Sequence, residues 1–488
     1  MKHILIPKLA IKYAHPHGLA DDTDQQYARV ATEICSALAK LEINDIPQSG
    51  LKLIATNLAL YLEDVVADAG IFRAFTTEMK SRYGKYLPFF EIDESQYFQD
   101  EPNIEDVRLL IWYYMLIVQH GNVGNPESPV LGQMTDTAYK VIDEQFEKVP
   151  VNESLKAYFS EAKFISDFYL QRQVLSWLCS SCYLTFAPQY ADILNQNARQ
   201  FFQQRIALNP DQAFYLADSL ISFAHTHGPL KLTSPEWLAM ILRANGNDKA
   251  ADIVAQQRFM DLNMYKVEKA EPGKSVTLSS VSGDSFTLLA AGLNDPQPEV
   301  YEKSVFFGSF VEYNGEWLVN GNFVGSDSPE SFDAAHEEYL SEQRLKPIYG
   351  KLIKEAGDTP LYYFADTKEL KQFLLEKLPT DDKAKDITLP KGHKYIALYI
   401  PADGKDFEIY PDAALSIKDE RNPYYRSKGA RNLAFNLALS VSDELRQYLL
   451  AHGMLPDATI NSVYGLERGN EIVQQDFDFM TRAVKAVL

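Results

Sequence analysis

The chain has 488 residues, of which 46% are hydrophobic and 23% are charged, an ordinary composition for a folded protein. Its 28 tyrosines and 27 phenylalanines exclude a disordered chain, because aromatic side chains supply the burial that disordered chains lack. The formal net charge of −20 disfavours bulk binding to nucleic acid or to an anionic membrane, since a polyanion repels phosphate groups. Solubility alone explains the acidity equally well.

Cysteine usage and the distribution of apolar residues indicate the cellular compartment of the protein. Cys35, Cys179 and Cys182 form a sparse and odd-numbered set, which is typical of a reducing environment. The N-terminal apolar stretch is interrupted at Pro7 and Lys8 and precedes no small-residue cleavage site, so it does not resemble a signal peptide. The sequence has no run of about 18 apolar residues that would span a membrane. We therefore expect a cytoplasmic bacterial protein.

Apolar residues at helical spacing predict that roughly the first 260 residues are mainly helical. The first long helix is expected to have Thr23 or Asp22 as its cap, and Asn103 with Asp106 resembles a capping box for a later one. Ser234 is expected to cap a helix that begins with Pro235. The predicted helical segments are 23–41, 49–70, 71–84, 103–119, 128–148, 153–187, 189–207, 211–226, 234–245 and 248–264.

From Glu271 onward the pattern changes to short β-strands, at 275–280, 285–290 and 305–321. Five or so strands in about 55 residues predict a small barrel or a tightly twisted sheet. After Gly325, helices alternate with strand-like segments. These segments are 361–365, 394–401 and 406–411. A helix is expected to end at Asn422, because the residue before a proline avoids the helical conformation, and helices at about 427–451 and 469–487 close the chain.

The hairpin at 305–321 is the most explicit local signal. Asn314-Gly315 between two apolar runs predicts a two-residue type I′ turn, which also fixes the register. The expected pairs are Tyr313 with Glu316, Glu312 with Trp317, Val311 with Leu318, and Phe310 with Val319. Both faces of this hairpin are apolar. We therefore expect one face to fill the barrel core, and the other, together with Phe306, to pack on a helix.

Two His-x-His loops, His15 with His17 and His225 with His227, would supply four imidazoles to zinc or a softer divalent ion if they met in space. Neither pair has a further cysteine or histidine at ligand spacing, and capping or surface roles are the more common use of such histidines. We therefore expect no metal and no cofactor, and these four histidines are the candidates should a metal bind.

Cys179 and Cys182 form a Cys-x-x-Cys motif. Redox motifs of this form lie at the N-terminus of a helix, where the helix dipole lowers the pKa of a thiol. This motif lies inside a long apolar segment with no strand before it. Two buried thiols that act as small apolar residues are the expected outcome.

Two acidic clusters are candidates for acid–base chemistry. Their members are Glu63, Asp64, Asp68, Glu105 and Asp106. The spacing of Asp64 and Asp68 places them on one helical face, where they would hold a hard cation or act as paired carboxylates. Internal ion pairs are the simpler explanation. We expect Arg73 or Arg108 to pair with one of Glu63, Asp64, Glu105 and Asp106.

Five sequence blocks, at 61–75, 82–90, 103–115, 310–321 and 417–425, occur in an order that resembles a gut-bacterial family, domain-of-unknown-function family 3843. The resemblance runs over nearly the whole chain and is weakest at the N-terminus. That family is defined by sequence clustering. The resemblance therefore implies no activity, cofactor or catalytic residue.

These observations predict an α+β protein that is mainly α: a helical domain at 1–265, a small antiparallel β-barrel-like domain at 266–325, and an α+β C-terminal domain at 326–488. The leading functional hypothesis is a non-enzymatic cytoplasmic module that binds a protein partner and neither bulk nucleic acid nor membrane. The alternative is an enzyme with an acidic pocket whose candidate catalytic residues are Glu63, Asp64, Glu105 and Asp106. A third hypothesis is single-stranded nucleic-acid binding by barrel aromatics. The sequence leaves the ligand and the oligomeric state open.

Overall fold

Helices predominate over strands in the computed structural model, which confirms an α+β fold that is mainly α. The structure describes residues 4–19, 22–41, 43, 46–203, 209–293, 297–326, 329–378, 387, 393–402, 406–456 and 466–488. Two compact units divide the chain. The first comprises Met1–Ser280, Asp284–Asp327 and Arg482–Leu488, and the second comprises Val281–Gly283 and Ser328–Thr481. Within the described residues, no helix is both long enough and apolar enough to cross a bilayer.

The first unit begins with twelve described helices and one short hairpin. The helices are α1 (Lys8–Lys12), α2 (Asp24–Leu38), α3 (Gln48–Ala67), α4 (Ile71–Tyr83), α5 (Ile104–Val118), α6 (Pro129–Phe146), α7 (Glu153–Glu161), α8 (Phe168–Ser180), α9 (Tyr190–Gln203), α10 (Pro210–Ala224), α11 (Ser234–Ala244) and α12 (Asp248–Ala255). Strands β1 (Thr226–His227) and β2 (Leu232–Thr233) form the hairpin between α10 and α11. The N-cap of α11 is Thr233, one residue before the predicted Ser234, because Thr233 and Glu236 form a reciprocal capping box.

Two predicted helices are interrupted. The segment 153–187 divides at Ala162, whose φ of +46° ends α7, and the Asp167 side chain then caps α8 by accepting from two backbone N–H groups. The segment 248–264 is helical only to Ala255, and a strand begins at Phe259. Cross-strand pairing explains this error, since Phe259 lies opposite Val311 in the sheet and gains a backbone ladder that local helical spacing does not reveal.

A five-stranded barrel follows α12. Its strands are β3 (Phe259–Glu271), β4 (Ser275–Ser280), β5 (Ser285–Leu289), β6 (Val305–Tyr313) and β7 (Glu316–Val319), and β8 (Val324–Ser326) adds to β6. The order β3-β4-β5-β7-β6 is closed by pairing of β6 with β3, and β5 with β7 is the parallel pair. A short helix, α13 (Ala290–Leu293), lies between β5 and β6. This strand order is that of the OB barrel.

The predicted hairpin register is confirmed at all four pairs, from Phe310 with Val319 to Tyr313 with Glu316. Asn314 and Gly315 have φ values of +51° and +81°, as a type I′ turn requires. The conformation of a two-residue turn depends on those two residues. The register of this hairpin is therefore predictable from its own sequence.

The barrel core takes the Phe310 face of the hairpin. Its aromatic members are Tyr265, Phe286, Phe306, Phe310 and Trp317. Phe306 was predicted on the opposite face, which is wrong, because residues 306 and 310 have the same parity along β6 and point the same way. These rings are buried inside the barrel, so they form no exposed stacking platform of the kind that single-stranded nucleic-acid binding needs.

The other face of the hairpin packs on helical residues, as expected. The Tyr313 hydroxyl donates to the carbonyl of Ile165, and its ring meets Phe168 of α8 edge-to-face at 5.6 Å. After β7 the chain lies against α10. There the Asn320 side chain donates to the carbonyl of Ser219, and a Cβ at Gly321 would stand 3.1 Å from the Cα of Leu216. The barrel is therefore fixed on both α8 and α10.

The second unit is built on a three-stranded antiparallel sheet. The strands are β9 (Leu361–Asp366), β10 (Lys394–Tyr399) and β11 (Glu408–Tyr410), in the order β11-β10-β9. Its helices are α14 (Glu330–Glu355), α15 (Thr367–Lys377), α16 (Ser427–Ser440), α17 (Asp443–Ala451) and most of α18 (Leu466–Val487). Alternation along β10 supplies two cores, with Ile396 and Leu398 in one and Ala397 and Tyr399 in the other.

The predicted helix ending at Asn422 is wrong. Residues Ala413–Leu415 form a single 3-10 turn, and the chain from 416 to 426 has no regular helix. The Asn422 side chain instead donates to the carbonyls of Ala414 and Ile417. Asparagine commonly stabilises a turn in this way, and Pro423 prevents continuation.

Trp317→Ala is expected to lower the free energy of unfolding by about 3–5 kcal/mol, because it removes a large aromatic side chain from the barrel core, where Trp317 is 8% exposed. Urea unfolding monitored by circular dichroism measures the change. Glu316→Ala, at the exposed neighbouring position, is the control and should change stability by less than about 0.5 kcal/mol. Equal stability of the two variants would contradict a docked barrel.

Candidate functional site

One face of α8 carries the polar side chains that line a cavity of about 700 Å³. Arg172, Ser176 and Ser180 follow one another at a spacing of four residues, which places them in a row along the helix. The adjacent row contributes Gln173 and Trp177. We call this space the α8 cavity.

The remaining walls of the α8 cavity come from α10 and from the loop after α1. The complete lining is Lys12, Tyr13, His15, Pro16, His17, Gly18, Leu19, Arg172, Gln173, Ser176, Trp177, Ser180, Ser181 and Asp218. The loop is fixed to α8 because the Trp177 indole N–H donates to the carbonyl of Ala14 over 2.7 Å. A volume of this size lies within the range of small-molecule sites, about 300–1,000 Å³.

Arg172 places a permanent positive charge at this cavity. The residue is only 7% exposed, its Nη1 donates to the Ser219 hydroxyl over 3.1 Å, and its guanidinium lies 4.0 Å from the centre of the Tyr215 ring. Among the described residues, no carboxylate lies within 4 Å of this guanidinium. An arginine remains protonated even when buried. Within 4 Å, this buried cation at the cavity therefore has no counter-ion among the residues that the structure describes.

Asp218, on α10, places a negative charge at the same cavity. Its Oδ1 accepts from the Ser176 hydroxyl over 2.7 Å and from the Tyr190 hydroxyl. Burial, reinforced by the Asp218 charge, raises the pKa of Tyr190, which keeps that phenol a hydrogen-bond donor. Within the described chain, Oδ2 has no hydrogen-bond donor and no cation lies within 4 Å.

His15 holds the loop in place through two buried carboxylates. Its Nε2 lies 2.7 Å from Glu63 Oε2, and its Nδ1 lies 3.3 Å from Asp24 Oδ1. Burial alone would lower the pKa of His15, but the hydrogen bond to Glu63 and the charges of Glu63 and Asp24 together raise it. Both ring nitrogens therefore face protein carboxylates, and neither is free to act on a substrate in this arrangement.

The acidic candidates are not brought together in one pocket. Glu63 accepts from Thr23 and Asn152 in addition to facing His15, whereas Asp64 accepts from the backbone N–H groups of Ile71 and Phe72. The Tyr183 hydroxyl also donates to Asp64. A cavity beside Asp64 has a volume of only about 10 Å³, roughly one water molecule.

Asp106 belongs to a third network, in which it accepts from the hydroxyls of Tyr61 and Tyr97 and from the Asn103 side chain. Burial raises the pKa of Asp106 to about 7, although all three donors oppose this shift. Asn103 therefore donates to Asp106 and does not form the predicted capping box, while Glu105 is half-buried in the first turn of α5.

The predicted ion pairs with these carboxylates are wrong. Arg73 pairs with Asp68 and donates to the carbonyl of Ala244, and the Arg108 guanidinium lies 5.5 Å from the centre of the Phe90 ring. In the described part of the chain, neither arginine lies within 4 Å of Glu63, Asp64, Glu105 or Asp106. The four carboxylates are instead satisfied, where they are buried, by neutral donors and by His15.

The two His-x-His loops occupy different environments. His227 is fully buried, with Nδ1 2.6 Å from the carbonyl of Thr185 and Nε2 2.8 Å from the Ser234 hydroxyl, and burial lowers its pKa to about 4. His225 is half-buried, and His17 is exposed at the α8 cavity. Over the described ranges, no three His, Cys, Asp or Glu side chains form a group that could hold a metal ion.

Cys179 and Cys182 lie at the C-terminal end of α8 and are buried free thiols. Burial raises the pKa of Cys179 to about 12 and that of Cys182 to about 11. A redox-active Cys-x-x-Cys motif requires the opposite shift. These residues therefore act as small apolar side chains.

Sequence reasoning missed the principal members of the site, Arg172, Ser176 and Asp218. The signal was present as a polar stripe. In the segment 171–181, polar side chains recur at a spacing of four residues on a helix that is otherwise apolar. The Cys-x-x-Cys motif is the more conspicuous pattern in this segment.

His15 is expected to make stability depend on pH. Because its pKa is raised in the folded state, its contribution is complete below the ordinary value of about 6.5 and is lost as the pH rises through the raised pKa. The difference in unfolding free energy between wild type and His15→Gln should therefore be larger at about pH 6 than at about pH 9. His17→Gln, at an exposed position of the same loop, should show no such difference. Parallel behaviour of the two variants would contradict this role of His15.

Comparison with known proteins places this site within a family. A family model described as "Protein of unknown function (DUF3843)" matches residues 5–266 and 319–485, which include every residue that lines the α8 cavity. The unmatched segment, 267–318, carries most of the barrel. No curated protein and no solved structure matches the chain. The chain belongs to the DUF3843 family of proteins of unknown function.

Proposed function

We propose that the protein is a cytoplasmic, non-enzymatic binding protein of bacteria, and that it holds a small anionic molecule on Arg172 in the α8 cavity. The observation that carries this proposal is a buried guanidinium that has no carboxylate within 4 Å in the described part of the chain. The three buried free cysteines are in keeping with a reducing compartment.

Electrostatics favours an anionic ligand at this position. A buried charge is costly unless it is paired, and an arginine presents several N–H groups in one plane that match a carboxylate or a phosphate. Stacking on Tyr215 and the hydrogen bond to Ser219 hold that plane in one orientation. The ligand would therefore meet a pre-oriented donor group and would lose little free energy to ordering it.

Binding is favoured over catalysis because His15 and the serine hydroxyls of the cavity are already engaged. Both nitrogens of His15 face carboxylates, the Ser176 hydroxyl donates to Asp218, and the Ser180 and Ser181 hydroxyls lie 3.2 Å apart. A nucleophilic serine needs a base within hydrogen-bond reach. The described residues of the cavity provide no serine–imidazole pair.

Purification from the native host tests this proposal. Wild-type protein is expected to carry a small anion that mass spectrometry of the denatured eluate detects. Arg172→Gln should lose at least about 90% of it, since charge-assisted hydrogen bonds are worth about 1.5–3 kcal/mol. Arg199→Gln, which changes an exposed arginine of α9, should retain it. If the two variants carry the same small molecules as wild type, Arg172 is not an anion site.

Docking of a protein partner is a second candidate function. Leu5, Leu9 and Tyr13 are 68%, 53% and 73% exposed; Leu9 and Tyr13 lie one turn apart along α1, whereas Leu5 lies in the non-helical segment before it. Exposed large apolar side chains that lie close together are typical of a surface that binds another protein.

Cross-linking in native-host cells tests this second candidate. The double variant Leu5→Asp/Leu9→Asp is expected to lose a cross-linked protein partner, and the purified partner should then bind wild type at least about tenfold more tightly than the variant. Val300→Asp, at an apolar position that is 61% exposed, is the control. Unchanged affinity of the Leu5→Asp/Leu9→Asp protein would exclude this surface as the docking site.

A further inference from the structure

We infer that the ligand of the α8 cavity is a zwitterion, with an anionic group that binds Arg172 and an ammonium group that binds Asp218. The inference rests on the proposed function, and it deepens that function by naming the class of ligand. Arg172 and Asp218 line one cavity together with Lys12, and neither Arg172 nor Asp218 has a counter-ion within 4 Å among the described residues.

Arg172 and Asp218 do not pair with each other. No nitrogen of Arg172 lies within 4 Å of an oxygen of Asp218, although both residues line the same space. If the two side chains existed only to neutralise each other, a direct ion pair would be the favourable arrangement. Instead, each is held by neutral neighbours, Arg172 by Ser219 and Tyr215, and Asp218 by Ser176 and Tyr190.

The hydrogen bonds to Asp218 all reach one of its two carboxylate oxygens. Ser176 and Tyr190 both donate to Oδ1 of Asp218, which fixes the carboxylate and leaves Oδ2 as the acceptor that the described residues do not use. An ammonium group carries three donors and no acceptor, so it suits such an oxygen. An anion alone would bind Arg172 while facing the Asp218 charge, which is unfavourable.

A bound zwitterion would satisfy both charges at once. Its carboxylate would accept from the unused N–H groups of Arg172, and its ammonium group would donate to Oδ2 of Asp218. Because the two protein charges are more than 4 Å apart, the carboxylate and the ammonium group of one small ligand can lie between them. Amino acids with a terminal amino group and short peptides belong to this class.

A matched set of compounds tests the inference. Isothermal titration of the full chain uses 4-aminobutyrate, which carries both charges, butyrate, which carries the anion alone, and butylamine, which carries the cation alone. The expected result is that 4-aminobutyrate binds wild type at least about tenfold more tightly than either single-charge compound. Glycine and 6-aminohexanoate then measure the preferred charge separation.

Variants separate this inference from the proposed function. Asp218→Asn should reduce the affinity for 4-aminobutyrate to that for butyrate, whereas Asp211→Asn, at an exposed position of α10, should not. If butyrate binds wild type as well as 4-aminobutyrate does, and Arg172→Gln abolishes both, the anion site stands and the zwitterion inference is wrong. If Arg172→Gln changes no affinity, or neither butyrate nor any zwitterion of the series binds, both are wrong. Unchanged thermal midpoints of the variants exclude a loss of fold.

Discussion

The constraint on which the first unit depends is the placement of the buried Arg172 guanidinium against Ser219. A long cationic side chain is rarely buried without a partner, and here burial is accepted because Tyr215 and Ser219 hold the group between α8 and α10. The Ser219 hydroxyl receives the hydrogen bond from Arg172 and donates its own proton to the carbonyl of Tyr215. This contact joins the two helices beside the α8 cavity.

The barrel supports the same pair of helices from another side. The Asn320 side chain donates to the carbonyl of Ser219, so one residue of α10 contacts both the barrel and the cavity arginine. The Tyr313 hydroxyl donates to Ile165, which lies just before α8. Although most of the barrel lies in the segment that the family model does not match, its contacts fall on the helices that form the site. The contacts of the barrel therefore support the two helices, α8 and α10, that line the cavity.

The sequence predicts the local elements well and the site poorly, for a physical reason. The register from Phe310 to Tyr313 follows from the turn chemistry of two residues, and the boundaries of α4 follow from Gly70 and Gly84, both with positive φ. The strand at Phe259 depends on β6, which lies far away in the sequence. The role of Arg172 also depends on residues that are distant in the sequence. Its partners, which decide whether a guanidinium is structural or functional, lie on α10.

Burial of a charge does not by itself distinguish structure from function, and this chain contains both cases. Glu63, Asp64 and Asp106 are buried, but each accepts several hydrogen bonds, so the fold itself satisfies the charge. Arg172 and Asp218 are also held by hydrogen bonds. Each nevertheless has N–H groups or a carboxylate oxygen that no described residue uses, and both residues line the α8 cavity. Side chains that only stabilise a fold are better served by direct partners in the protein, because a buried charge without one costs free energy. This cost is recovered when a ligand supplies the missing partners. The two residues that the sequence patterns did not single out are therefore the best indication of what the protein binds.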